Sequence, residues 1–410
     1  MSQGSQKNLV FILGAGSSSD FGYPLGNQIF AAAHRLVTEV KEEDIKNKLG
    51  TALTKVEQVM DSIYSNLPSD KREYPFFEEV VTFIWDSRKS EHQDGNKRDG
   101  IVLPFDGSVN KVLETFVEML TLTLSAVKFS EDSLNNLQHY EKFVKSLRFK
   151  EDNISIISLN YDLLIDRALV TCVKEGLIED YNYGIPLDYL GKESDCFSII
   201  PVDDNGHRFH VPVNVPDSRN KGILLLKPHG SLNLSFCTGH RQEGDFYYYA
   251  EDDITSEIMN RTDKAKCSVY NCHDTVKPLI VPPLYMKESY ISQTNRSKVW
   301  ISKRGVLDLK QGVIENYRSL IDKQIGYVLQ FADELVVIGY SMPPYDFDLK
   351  SLLIKGLMAN KNRSNVPVSI ITKAEGHELN DLRLRFKHLA GEVRFLGQDG
   401  FLNYIKCCNP

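Results

Sequence analysis

No run of apolar residues in this 410-residue chain approaches the roughly 18 to 20 that a bilayer-spanning helix requires. The stretch from Leu9 to Leu13 is too short for a signal-peptide core and runs straight into glycines. Cysteine is sparse and odd in number, 7 residues scattered from Cys172 to Cys408, which excludes the framework of a disulfide-stapled domain. A reducing, cytoplasmic setting is the simplest expectation. Positive charge is in deficit: the formal net charge is −7, so nothing draws the chain as a whole to nucleic acid or to an anionic membrane surface. Internal repeats and low-complexity linkers are missing too, and a single domain over residues 1–410 is expected. What remains is ordinary globular composition, 42% hydrophobic and 25% charged, enough to bury a core.

Short β-branched runs punctuate the chain. Leu9 to Leu13, Ile154 to Leu159, Ile223 to Leu226, Leu279 to Val281, Leu335 to Ile338, Val366 to Ile371 and Val393 to Leu396 read as strands buried on both faces. Helical patterns between them predict an α/β fold with a Rossmann-like, mostly parallel sheet. Their spacing is uneven. Residues 27–150 carry almost no strand signal but show amphipathic patterns at Phe76 to Trp85, Val109 to Val127 and Ser133 to Leu147, which predicts a large all-helical insertion, a lid or an assembly surface. A smaller polar, tyrosine-rich insertion is expected over residues 233–276.

The first strand runs into Gly14-Ala15-Gly16-Ser17 and then a helical pattern. Glycines permit close backbone approach, and amides at a helix start can face a phosphate, with the Ser17 hydroxyl as a further donor. The motif is not a full G-x-G-x-x-G, because Ser19 stands at the last position, and a plain strand-to-helix turn has the same look. Three more strand ends are of the same kind. Ser158-Leu159-Asn160-Tyr161-Asp162 opens a helix, where Asn and Asp also serve as ordinary caps. Lys227-Pro228-His229-Gly230-Ser231-Leu232-Asn233 follows the third strand, and Gly339-Tyr340-Ser341-Met342-Pro343-Pro344 the fifth. In a parallel sheet all four ends converge on one edge, where nucleotides bind. Their coincidence favours a site over four unrelated turns.

These four ordered motifs, GAGSSSDFGYPLG, SLNYD, KPHGSLN and IGYSMPPYDFDL, resemble the sirtuin-like superfamily, and within it the divergent prokaryotic branch that cleaves NAD⁺ in antiphage defence. Two departures separate the chain from the protein deacylases of that superfamily. Pro24 is followed by Leu25-Gly26-Asn27 where deacylases carry an Asp-Phe-Arg segment, and the late strand leads into Val281-Pro282-Pro283-Leu284-Tyr285 where they carry a Phe-Gly-Glu peptide-binding loop. The resemblance therefore implies an NAD⁺ glycohydrolase that releases nicotinamide and ADP-ribose. The alternatives are an NAD⁺-dependent deacylase and a non-catalytic NAD⁺ or ADP-ribose sensor, the latter disfavoured by the presence of both Asn160 and His229.

On this resemblance Asn160 and His229 are the catalytic pair. Breaking the nicotinamide–ribose bond passes through an oxocarbenium-like state, and the leaving group neutralises itself, so no strong acid is required. An asparagine amide can both donate and accept while it orients cofactor or water. A histidine, with its ordinary pKa near neutrality, suits the base. Gly14, Ala15, Gly16 and Ser17 would face the pyrophosphate, with Pro24 beside them. Gly339, Tyr340 and Ser341 would lie along the adenosine half, and Thr372 near its ribose. Asp162 would contact the carboxamide or cap its helix, and Ser231 and Asn233 would hold the His229 loop. Cys237, His240, Cys267, Cys272 and His273 fall where sirtuins often place a structural zinc; the alternative is that they are small buried residues, and no metal ligand is assigned. The resemblance implies restraint of the activity by homo-oligomerisation, or by a partner in trans such as a HerA-type ATPase or a short Argonaute. Little chain follows Phe401 for a ligand-sensing domain of the kind that some members carry.

Overall fold

The computed structural model describes residues 6–63, 77–82, 84, 109–127, 131–149, 152–178, 181–185, 188–193, 196–200, 223–237, 246–248, 276–281, 307–343, 346–362, 366–389, 392–397 and 399–408. Seven strands form the main sheet: β1 (Asn8–Leu13), β2 (Asn153–Ser158), β3 (Tyr181–Asn182), β6 (Ile223–Leu226), β10 (Glu334–Ile338), β11 (Pro367–Ile371) and β12 (Glu392–Gly397). Their order is β12-β11-β10-β1-β2-β6-β3, with every neighbouring pair parallel. Edge strand β3 aside, this is the Rossmann order, with β6 and β2 on one side of β1 and β10 to β12 on the other. β1 is the centre. Val10, Phe11, Ile12 and Leu13 are all buried, as a strand covered on both faces demands.

Helices occupy the crossovers: α1 (Gly16–Ser19), α2 (Ile29–Glu39), α3 (Glu43–Ile63), α4 (Val109–Ser125), α5 (Glu131–Ser146), α6 (Leu164–Lys174), α7 (Leu307–Gln330), α8 (Phe347–Met358), α9 (Gly376–Lys387) and α10 (Phe401–Cys408). The described residues between 27 and 150 are helical and include no strand. Their apolar faces meet at Phe30, Phe77 and Phe116, whose ring centroids lie 6.1 to 6.5 Å apart. A second aromatic cluster welds this region to the sheet. Tyr140 and Phe143 of α5 stack edge-on against Phe401 of α10 at 5.5 and 5.0 Å, and Phe21, just past the glycine turn, meets Tyr140 at 5.0 Å. Each such pair adds roughly 0.5–1.5 kcal/mol beyond area burial. None of the described helices is long and apolar enough to cross a membrane.

One strand expected in the parallel sheet lies elsewhere. Leu279 and Ile280 belong to β9 (Val276–Ile280), which pairs antiparallel with β7 (Gly230–Cys237) in a second sheet. That sheet has the order β5-β4-β8-β7-β9, with β4 (Asp188–Glu193), β5 (Cys196–Ile200) and β8 (Phe246–Tyr248). A run of three apolar residues fixes neither partner nor direction. The turn after β6 decides both: His229 O accepts from Val281 N at 2.8 Å and draws β9 onto β7.

At β1 the order in which the chain adds strands reverses, and there two glycine turns touch backbone to backbone. Gly14 N donates to Ile338 O and Gly16 N to Gly339 O, both at 2.9 Å. Gly339 has φ +61°, and a Cβ on it would lie 2.1 Å from Ser17 N. Both the left-handed backbone and the contact require glycine. Gly339→Ala is therefore expected to destabilise the chain by about 3 kcal/mol or more. Gly326→Ala, within α7 and with nothing within 4 Å of an added Cβ, should instead be neutral or stabilising, by up to about 1 kcal/mol. Urea unfolding of the two variants beside the parent checks the contrast.

Candidate functional site

All four polar strand ends, three of them with glycine, open onto one cleft of about 640 Å³, a volume suited to a small-molecule ligand. Gly14, Ala15, Gly16, Pro24, Asn160, Asp162, His229, Gly339, Tyr340, Ser341 and Thr372 line it. Ser17, Ser231 and Asn233 stand behind its wall instead, where they hold lining residues in place. The cleft lies at the carboxyl ends of the strands, astride β1, where loops diverge to opposite sides of the sheet.

Asn160 is fixed by its donor end. Its Nδ2 lies 3.0 Å from Gly14 O, 3.0 Å from Ser17 Oγ and 2.8 Å from Ser18 Oγ. Because Gly14 O can only accept, the amide orientation is determined, and Oδ1 is left as an acceptor with no hydrogen bond to the described residues. The glycine turn is itself closed more tightly than a phosphate cradle. The amides of Gly14, Gly16 and Ser17 all donate to carbonyls within the protein, those of Ile338, Gly339 and Gly14, and the Ser17 hydroxyl donates to Gly14 O at 2.8 Å. Ala15 N–H alone of the four has no such partner among the described residues. The sequence pattern suggested four open donors here; the backbone contact with Gly339 takes up most of them.

His229 sits in the tight turn between β6 and β7, closed by Gly230 N donating to Lys227 O at 2.9 Å. Gly230 has φ +77°, and a Cβ there would lie 1.8 Å from Leu279 O, so the histidine is held between two sheets. Behind it Lys227, fully buried, donates to Asp162 O (2.8 Å), Asp166 Oδ2 (2.6 Å) and Ser231 Oγ (2.7 Å). Asn233 Nδ2 and Tyr183 OH donate to Asp166 Oδ1 as well. This network ties the Asn160 loop to the His229 turn, and of its described members only Asn233 Oδ1 is buried without a hydrogen-bond partner. Asp162 has its own ties: Oδ1 accepts from Leu164 N at 3.0 Å and the carboxylate accepts from Ser18. Burial pushes its carboxyl up, against the pull of Lys227 and those hydrogen bonds.

Two acids of the cleft were not singled out from the sequence. Asp346, in the turn before α8, accepts from Tyr340 OH at 2.8 Å and lies 3.8 Å from His229 Nε2. It stood inside a quoted motif, but an aspartate just ahead of a helix reads as a cap. Glu78 belongs to the helical insertion and lines the cleft from the far side. Its Oε2 is shut off from solvent without a hydrogen-bond partner among the described residues. Burial, helped by the nearby Asp346 and Glu79 charges, raises the Glu78 carboxyl to about 7. Tyr161, 6.3 Å from the His229 ring, has its phenol pushed well above the usual range, first by burial and then by Glu78 and Asp346. Only the amphipathic pattern of residues 76–85 hinted that Glu78 is in a helix; nothing local marked its orientation.

Among the described residues no three His, Cys, Asp or Glu side chains are grouped to hold a metal. The Cys237 side chain, His240, Cys267, Cys272 and His273 lie outside the described residues, as do Pro282 to Tyr285. No family model matches the chain, and no curated protein matches it.

Two stability measurements follow. Lys227→Met leaves Asp166 buried beside no cation and should cost about 3–5 kcal/mol, part of which Asp166→Asn added to it recovers; denaturant titration of the cycle checks this. Glu78 has a folded pKa above its unfolded value, so its contribution is fully present below pH 4.5 and is lost as pH rises through about 7. Glu78→Gln should therefore match the parent near pH 4.5 and exceed it at pH 8 by up to about 3 kcal/mol, read as the difference between two pH–stability curves.

Proposed function

We propose that this chain binds NAD⁺ in the switch-point cleft and hydrolyses its nicotinamide–ribose bond, releasing nicotinamide and ADP-ribose. One observation carries the reading: Asn160 and His229, from neighbouring strand ends, face a single cleft beside the Gly14-Ala15-Gly16 turn. Support also comes from the resemblance of the four motifs to the sirtuin-like superfamily, whose NAD⁺-depleting members act in antiphage defence. In that context the chain is a cytoplasmic effector, restrained by self-association or by a partner until triggered.

The chemistry assigns a task to each group. The C–N bond breaks with its electron pair going to the ring nitrogen, so nicotinamide leaves neutral and positive charge develops on the ribose. Water adds to the anomeric carbon and its proton passes to His229, whose Nε2 lies 3.8 Å from Asp346 Oδ2. Asn160, with Nδ2 committed to the glycine turn, offers Oδ1 to the water or to a ribose hydroxyl. Near-fixed geometry matters more than acid strength here, because the leaving group needs no proton.

Incubation of the purified chain with NAD⁺, with and without an acetylated peptide, should release nicotinamide and ADP-ribose without the peptide. Asn160→Ala and His229→Ala should each lower turnover by about 10²-fold or more with the fold intact by circular dichroism. Release that requires the peptide would instead identify a deacylase, and full activity in either variant would remove that residue from the mechanism.

A further inference from the structure

We propose that Glu78, carried into the cleft by the helical insertion, is a third catalytic residue, whose carboxylate accepts a hydrogen bond from a hydroxyl of the reacting ribose and stabilises the positive charge developing there. This rests on the NAD⁺ reading above and adds to it a residue from outside the sheet.

Helix packing fixes where Glu78 stands. Phe77, fully buried, packs between Phe30 and Phe116 with ring centroids 6.1 Å from each, and Val80 and Val81 are buried beyond it. Glu78 itself is half-buried and lines the cleft, with Oε2 shut off from solvent and without a hydrogen-bond partner among the described residues. A Cβ on Gly26 would come within 2.9 Å of that oxygen, so the carboxylate is confined on that side. A half-turn about the terminal side-chain bond exchanges the two oxygens, so either can meet a ligand. The neighbouring acids are engaged: Asp162 accepts from Leu164 N and from Ser18, and Asp346 from Tyr340 OH. Glu78 therefore joins Asn160 Oδ1 as an acceptor open to a donor on the ligand. It also belongs to the reacting end of the cleft. Its charge and that of Asp346 both raise the phenol of Tyr161, the residue after Asn160, and Asp346 lies 3.8 Å from His229 Nε2.

Burial, Asp346 and Glu79 push the Glu78 carboxyl up to about 7, against the pull of its own backbone amide. Above that pH it is ionised and burdens the fold, and acids held in this way cluster at functional sites. At its nicotinamide end NAD⁺ offers two kinds of donor, the carboxamide and the ribose hydroxyls. A hydrogen bond to the carboxamide is much the same before and during C–N cleavage, so it aids binding alone. A ribose hydroxyl becomes a stronger donor as positive charge grows on its ring, so a carboxylate accepting from it acts most in the transition state. The charge of Glu78 thus suits the hydroxyl, and the apolar Leu120 and Leu124 of the cleft wall keep water from weakening the contact. Glu78 forms no covalent bond and takes up no proton. The electron pair of the broken bond goes to the ring nitrogen, and the proton of the water to His229.

The test is steady-state kinetics of the parent and Glu78→Gln at pH 8, with NAD⁺ and with analogues lacking the 2′- or the 3′-hydroxyl of the nicotinamide ribose. With NAD⁺ the variant should lose about 10- to 100-fold in kcat while KM moves by less than about threefold. Removal of the hydroxyl that Glu78 contacts should shrink that loss to within about threefold. The ratio of parent to variant kcat should rise as pH passes through about 7, because only the ionised carboxylate acts; His229 is present in both proteins and cancels. Urea unfolding should show the variant at least as stable as the parent at pH 8, so a loss of rate is not a loss of fold. A variant with parental kcat, a defect in KM alone, or a loss that persists in full with both deoxy analogues overturns the proposal while leaving the NAD⁺ reading in place. If the parent releases no nicotinamide from NAD⁺, the NAD⁺ reading itself falls, and the role of Glu78 with it.

Discussion

Gly16 N reaches Gly339 O across the point where the strand order of the parallel sheet reverses, at a distance no side chain on either residue would allow. That contact sets the rest of the site. It fixes the carbonyl of Gly14 in a position to accept from Asn160, and so orients the amide that faces the cleft. It also consumes amides that a looser turn would have offered to a phosphate. In open α/β sheets this crevice is where ligands bind, because loops on either side run apart and leave room between them. Here the room is kept open on one side by backbone packing and bounded on the other by the helical insertion.

The second constraint is electrostatic and works in two layers. Beneath the cleft, Lys227 and Asp166 form a buried ion pair whose hydrogen bonds reach the Asp162 carbonyl and Ser231, so charge there is internally matched. At the cleft surface, Asp346 accepts from Tyr340 OH and lies 3.8 Å from His229 Nε2, while Glu78 Oε2 has no hydrogen-bond partner among the described residues. Satisfied polar groups rigidify the loops they join, whereas a buried oxygen without a partner carries a desolvation cost. His229 stands at the boundary, its backbone tied to β9 and its ring beside Asp346.

Much of this was legible in the sequence. The buried runs of β1, β2, β6, β10, β11 and β12 identified a parallel sheet because strands covered on both faces need apolar residues without alternation. Their ends marked the cleft because parallel strands all point the same way. The Leu279 to Val281 run was misplaced, since a short apolar segment looks the same in either sheet. β4 went unanticipated because the polar residues of DYLGKE hide any period, and β5 went unanticipated although CFSII is a short apolar run. Ser17, Ser231 and Asn233 belong to the motifs at the strand ends, yet whether they face the cleft or brace it depends on side-chain direction, which local pattern does not carry.

The sequence by itself determined the parallel Rossmann-like sheet, the glycine turn and the clustering of Asn160 and His229, since periodicity and strand polarity are local properties and converge on one edge. Only the tertiary structure decided that Glu78, 82 residues before Asn160 and in a separate helical segment, faces the same cavity as Asp346. It alone decided as well that the amides of the glycine turn are largely taken. Both outcomes come from how distant segments pack, and packing acts on groups that the chain brings together without any spacing between them to read.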